Sequence, residues 1–143
     1  MSAFDVTTIT TLEDMFDYAE GFIRRQGAPA IDDAGCTYLD TATGRRCAVG
    51  ALMTENEARR SRGGVFKLFG FGALPERFIE FADALNQLQG AHDHAAADGT
   101  AAPRTEFLEG FVSRVTSLRE RLRLPPYDGA RVSRFFSEEA EAC

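Results

Sequence analysis

The sequence has no tryptophan, only three tyrosines, three cysteines and two histidines, and a single lysine, Lys67, against fifteen arginines. Each scarcity excludes something. Three cysteines at irregular spacing cannot form the even-numbered disulfide framework of a small secreted domain, and a reducing compartment keeps them as thiols. There is no C-x-x-C knuckle of a zinc ribbon and no G-x-x-x-x-G-K-[ST] phosphate loop. No stretch approaches the ~20 apolar residues of a membrane span. Residues Met1 to Asp5 lack the basic start and apolar run of a signal peptide. The chain is therefore expected to be cytoplasmic, with no membrane partner. No repeat at a period of 20 to 50 residues is present, which argues against a solenoid.

What remains is an ordinary globular composition. A chain of 143 residues, 44% apolar and 27% charged, is the size and make-up of one folded domain. Its aromatic character comes from twelve phenylalanines, side chains with no polar handle and no need of buried hydrogen-bond partners. The net charge of −6 is unevenly spread: residues 1 to 22 carry five acids and no base, whereas residues 23 to 75 sum to +3 and residues 103 to 134 to +3. An acidic total opposes non-specific wrapping of nucleic acid, which depends on cations meeting phosphates. A local basic face is still compatible with it.

Hydrophobic spacing predicts a mainly helical domain. Leu12, Met15, Phe16, Ala19, Phe22 and Ile23 recur along one helical face, Thr10 and Glu13 suit a capping box, and Gly27 and Pro29 end the run. Asp14, Asp17 and Glu20 are expected on its front and outer face, where the helix dipole favours negative charge early in the helix. Segments 36–40 and 45–49, around Thr41-Ala42-Thr43-Gly44, read as a short β-hairpin. In that register Tyr38 opposes Cys47 and Cys36 opposes Val49, placing all four on one face. Thr54 and Glu57 form a second capping box before a short helix. The stretch from Arg62 to Gly72, with four glycines, reads as a mobile loop. A third helix starts near Pro75 and carries Phe78, Phe81, Leu85, Leu88 and His92. A linker covers residues 95–102, and a fourth helix opens at Pro103 and stops before Pro125-Pro126. Val132, Phe135 and Phe136 form a last apolar group. The expected organisation is one helical domain over residues 1–136, with three to four main helices and a hairpin near residues 36–49, followed by an acidic tail over 137–143.

Three segments carry a resemblance: Cys36-Thr37-Tyr38; Gly44-Arg45-Arg46-Cys47-Ala48-Val49-Gly50-Ala51-Leu52; and Leu88-Gln89-Gly90-Ala91-His92-Asp93. Their pattern of C-x-Y, G-x-x-C-A-x-G-x-L and L-Q-x-x-H-D resembles an uncharacterised group of small bacterial and phage proteins, over roughly half the chain. The sequence departs after Leu52, where Met53-Thr54-Glu55 stands in place of an Ile-Pro-Asp-like turn. The resemblance implies a shared fold and no particular reaction.

Three chemical readings follow from these residues. A thiol-dependent hydrolase or acyl transferase would use Cys47 as nucleophile, His92 as its base and Asp93 to orient the imidazole. Helix neighbours point about 100° apart, so Asp93 is expected to reach that ring only where the helix has frayed. The plainer reading makes Cys47 and His92 interior packing residues, cysteine being among the most buried types. A metal would need Cys36, Cys47, His92 and His94, but histidines two apart lie on nearly opposite sides of a helix. No metal and no cofactor are expected. Arg45, Arg46, Arg59, Arg60, Arg62 and Lys67, with Phe66, Phe69 and Phe71 interleaved and Tyr38 nearby, form a candidate binding set for nucleic acid or another anion. No nucleophile, metal or cofactor motif here is specific. The leading expectation is therefore a small non-enzymatic binding or accessory protein, more often with a protein partner than with nucleic acid.

Overall fold

Helix α1, Leu12–Gln26, is enclosed on nearly every side from Met15 to Gly21, and it packs against the turn at Gly50–Leu52 and the helices over residues 104–122 and 129–132. The computed structural model describes residues 4–32, 35–99 and 104–136. The expected tail 137–143, with Cys143, and the start of the fourth helix at Pro103 lie outside the described residues. Among the described residues the chain is mainly helical, with seven α-helices.

The start of α1 is set by Thr11, whose hydroxyl accepts from the Asp14 N–H at 3.2 Å. The cap is thus one residue later than the Thr10 box expected from sequence. Gly27 ends the helix in the left-handed region, at φ 74°, a conformation that glycine adopts without a Cβ clash. Met15, Phe16, Ala19 and Ile23 are fully buried, so the apolar stripe is read correctly. The outer face is not. Asp17 and Glu20 are 0% exposed, because the C-terminal helices cover the side that the sequence assigns to solvent.

After α1 the chain makes a minimal antiparallel ladder, β1 (Ile31–Asp32) with β2 (Gly35–Cys36), pairing Ile31 with Cys36 and Asp32 with Gly35. The hairpin expected across 36–49 does not form as two strands. Its remnant is one bridge, Leu39 to Arg46, closed by Asp40 N–H to the Arg45 carbonyl at 2.8 Å and Gly44 N–H to the Asp40 carbonyl at 2.7 Å. Asp40 holds the turn from inside, with its carboxylate accepting from Ala42 N–H and Thr43 Oγ1. Beyond Cys47 the backbone leaves the extended course and coils into a 3-10 turn, Gly50–Leu52, which ends any ladder. The side chain of Cys36 lies outside the described residues, so the expected pairing of the two thiols has no described geometry.

The capping box at Thr54 and Glu57 is present, with both reciprocal hydrogen bonds, and opens α2, Glu55–Arg60. The Gly-rich stretch that reads as a loop contains a further helix, α3, Val65–Gly70. Val65 and Leu68 anchor it in the core, and this tertiary burial overrides the low helix propensity of the flanking glycines. The third helix of the sequence reading is two: α4, Glu76–Ile79, with Pro75 as its N-cap, and α5, Ala82–Gly99. The expected linker from residue 95 is helical as far as Gly99. Helix α6, Arg104–Leu122, packs along α5. Arg123, at φ 59°, turns the chain out of it. Helix α7, Gly129–Val132, and a 3-10 turn, Ser133–Phe136, bring Val132 and Phe135 into the core. Phe135 and Phe136 meet the Tyr18 ring at centroid distances of 5.6 and 5.2 Å.

Candidate functional site

The segments that carry the resemblance meet in space, where the loop from Cys47 to Leu52 docks on α5. Cys47 starts its turn much as an N-cap does. Its Sγ accepts from the Gly50 N–H at 3.3 Å and its carbonyl accepts from the Ala51 N–H at 2.9 Å. Gly50 is required by a close approach, since a Cβ there would collide with the carbonyl of Tyr38. The next contact comes from α5, where Gln89 Oε1 accepts from the Val49 N–H at 3.1 Å. Gln89 Nε2 in turn donates to Asp93 Oδ1 at 2.9 Å, one helical turn on.

His92 holds the backbone of the segment after α1 in the same way. Its ring is fully buried and edge-on to Phe107 at 5.5 Å. The Ala30 N–H lies 3.3 Å from Nε2, and a backbone N–H can only donate, so Nε2 carries a lone pair. The ring proton therefore sits on Nδ1 and is donated to Asp93 Oδ1, 2.9 Å away. Asp93 thus orients its sequence neighbour within an intact helix. The expectation that this contact needs fraying fails, because α5 continues to Gly99 and the short carboxylate arm bends across to the ring. Asp93 accepts two hydrogen bonds on Oδ1, and among the described residues no donor meets Oδ2.

The thiol is closed. Cys47 is 0% exposed. Burial pushes its pKa up to about 12, and the Gly50 N–H offsets only part of that rise. Both nitrogens of His92 are engaged by Ala30 and Asp93, leaving neither to take a proton from Cys47. The geometry that a thiol enzyme needs, an accessible thiolate beside a free imidazole, is not assembled. The fourth residue of the metal reading, His94, is exposed and lines a different groove, with Asn86, Gly90 and Arg121. No group of three or more His, Cys, Asp or Glu side chains among the described residues could hold a metal ion.

The basic set is dispersed. Arg46 Nη1 turns inward to the carbonyls of Gly50, at 3.2 Å, and Met53, at 2.7 Å. Arg59 pairs with Glu55 at 3.3 Å on α2. Arg60 and Arg62 lean on nearby backbone carbonyls, and Arg45 and Lys67 are exposed. Among the described residues Arg60, Arg62 and Lys67 meet no carboxylate. The phenylalanines between them are, with Phe4 and Ile79, the exposed large apolar side chains among the described residues. Phe66, Phe69 and Phe71 are 52%, 50% and 76% exposed, with Ile79 at 46% on α4. On α3 the inner residues Val65 and Leu68 are buried while the outer residues Phe66 and Phe69 stand in solvent, so this helix is apolar on both faces.

Two features were not read from the sequence. One is the Gln89 clamp, which no spacing rule distinguishes from a surface glutamine. The other is a buried ionic cluster. Arg119 Nη1 donates to Asp17 Oδ1 and Nε to Glu20 Oε1, each at 3.0 Å. Arg131 adds two bonds to Asp17 at 2.9 Å, and Arg24 closes on Glu20 at 2.7 Å. Arg119 Nη2 is also 3.0 Å from Glu20 Oε1, close enough for attraction but not aligned for a hydrogen bond.

No helix among the described residues is long and apolar enough to cross a membrane. Comparison with protein-family models, curated proteins and solved structures finds no match for this chain.

Proposed function

We propose that this is a small cytoplasmic accessory protein that docks a protein partner on the outer face of α3 and the adjoining turn and helix α4. The observation that carries this reading is the exposure of Phe66, Phe69, Phe71 and Ile79. A helix that is apolar all round belongs in an interior. Leaving four large apolar side chains in water between residues 66 and 79 costs burial worth ~1.5–3 kcal/mol for each side chain that a partner would cover. Aromatic side chains are also the residues most often found as anchors at interface centres. Arg60, Arg62 and Lys67 border this segment without carboxylate partners among the described residues, which favours a partner that brings acidic groups next to its apolar ones.

A photo-reactive residue at position 69 tests the proposal in cells that make the protein. The expected product is a cross-link to a second protein through an acidic, apolar-containing segment. It should be lost when Phe66 and Phe71 are also replaced by Ser with the photo-reactive residue kept at position 69, a variant that keeps the fold because none of these side chains is in the core. Cross-links to nucleic acid, or to nothing, would overturn it. The anion-binding alternative is weakened by the inward turn of Arg46 and the pairing of Arg59. The thiol-enzyme alternative is weakened by the closure of Cys47.

A further inference from the structure

The exposed phenylalanines of α3 and the turn after it stand between charges of opposite sign. On the side of α2 are Arg60, Arg62 and Lys67, all exposed. Lys67 folds back over Gly63 so closely that a Cβ on that glycine would meet its Cδ, which carries its charge toward the Arg60–Arg62 segment. The acids nearest to these cations are already taken, Glu55 by Arg59 and Glu57 by Arg77. On the side of α4, Glu76, Ile79, Glu80 and Asp83 are exposed at helical spacing, and Glu80 keeps a helical backbone at the junction with α5. Arg77, the one cation between residues 76 and 83, turns inward to Glu57. Among the described residues Glu76 and Glu80 meet no cation.

We infer, on the basis of the docking reading above, that the partner on this face is a second copy of this chain, set against it about a two-fold axis through the exposed phenylalanines. A two-fold pair uses the same patch twice, so every contact between unlike residues is made twice. The cationic side of each copy then meets the acidic side of the other, while Phe66, Phe69 and Phe71 leave water at the centre. Residues 76–83 are themselves the acidic segment with an exposed apolar side chain that the cations beside α3 call for. Pairing cation with cation and acid with acid is opposed by like-charge repulsion, so charge selects one orientation. The net charge of −6 acts against two copies at long range, but salt screens it beyond about 8–10 Å, and the complementary contacts lie closer than that.

Sedimentation velocity of the purified full chain, loaded from micromolar to submillimolar concentration at physiological salt, should show a reversible dimer. Arg62→Glu/Lys67→Glu and Glu76→Lys/Glu80→Lys alter only exposed side chains, so both variants should fold. Each alone should self-associate at least about tenfold more weakly. An equimolar mixture of the two should return to near wild-type affinity, because each altered side then faces an opposite charge. A general effect of net charge gives the reverse for Glu76→Lys/Glu80→Lys, which is less acidic and would pair more tightly. A wild-type chain that stays monomeric, or a mixture that fails to associate, would overturn the second copy as partner. The cross-linker at position 69 judges the docking face separately: attachment to a different protein keeps that face and overturns self-pairing, whereas attachment to nothing removes both.

Discussion

Arg119 donates to Asp17 across 102 residues of sequence, at 3.0 Å, with both side chains almost completely removed from water. Glu20 and Arg131 complete the cluster, so each buried carboxylate meets at least one guanidinium. Forming such a cluster gains little net stability, because the charges lose their hydration, but breaking it leaves uncompensated charge in a poorly solvating interior.

Arg119→Ala should therefore destabilise the protein by about 3–5 kcal/mol, the range seen when one partner of a buried ion pair is removed. Equilibrium urea unfolding measures it. A loss below about 1 kcal/mol, typical of surface substitutions, would mean that Asp17 and Glu20 are solvated after all.

Gly50→Ala tests the close approach of two backbones. The added Cβ meets the Tyr38 carbonyl, a backbone group that cannot swing aside as a flexible side chain can. A cost of ~1–3 kcal/mol, as for other overpacked sites, should appear as a lowered midpoint in the same unfolding assay. An unchanged midpoint would show that the Cys47–Leu52 loop can move off the Tyr38 backbone.

Cys47 should be chemically inert in the folded state. In a background with Cys36 and Cys143 replaced by Ser, alkylation of the native protein should stay slow from neutral pH to about pH 9, and unfolding should release it. The thiol pKa rises from an ordinary 9.0 to about 12 on folding, so the native state holds this proton more tightly. The associated stability is complete below pH 9.0 and is lost as pH rises from there toward about 12. Fast modification near pH 6 that slows in His92→Ala would instead revive the enzyme reading.

Glu57 gives the opposite pH signature. The Arg77 guanidinium, hydrogen-bonded to it at 2.7 and 3.0 Å, holds its carboxyl below the ordinary 4.5, aided by the Thr54 N–H. Its contribution is present above pH 4.5 and is lost as pH falls below that value, when the native carboxylate must take up a proton. Melting temperatures of the wild type and Glu57→Gln should therefore differ at pH 6 and converge as the pH is lowered. A gap that is constant with pH would show that the ion pair contributes nothing specific.

The position of a helix is legible in sequence where its signal is local. Thr54 and Glu57 satisfy each other within one turn, so their capping box could be read directly and is present. The apolar stripe of α1 and the glycine that ends it belong to the same class. The hairpin misled because alternation and turn residues describe what a segment tolerates. Whether two strands pair depends on the next residues, and here Cys47 and Gly50 coil the chain to reach α5. The α3 segment misled in the other direction, since its glycines suggest freedom while Val65 and Leu68 find a core to enter.

By itself, then, the sequence determined the helical class, the glycine that ends α1, the capping box that opens α2 and the buried stripe of α1, because periodicity and capping act over one or two turns. The tertiary structure alone decided that Asp17 and Glu20 face inward, that Gln89 holds the Cys47 loop, that Asp93 fixes the proton of His92, and that Tyr38 keeps an unanswered hydroxyl. Each of those depends on a partner brought close by folding, such as Arg119 for Asp17 or the Val49 N–H for Gln89. A carboxylate or an amide carries no local mark of whether that partner will arrive, and the free energy of a buried polar group changes sign with it.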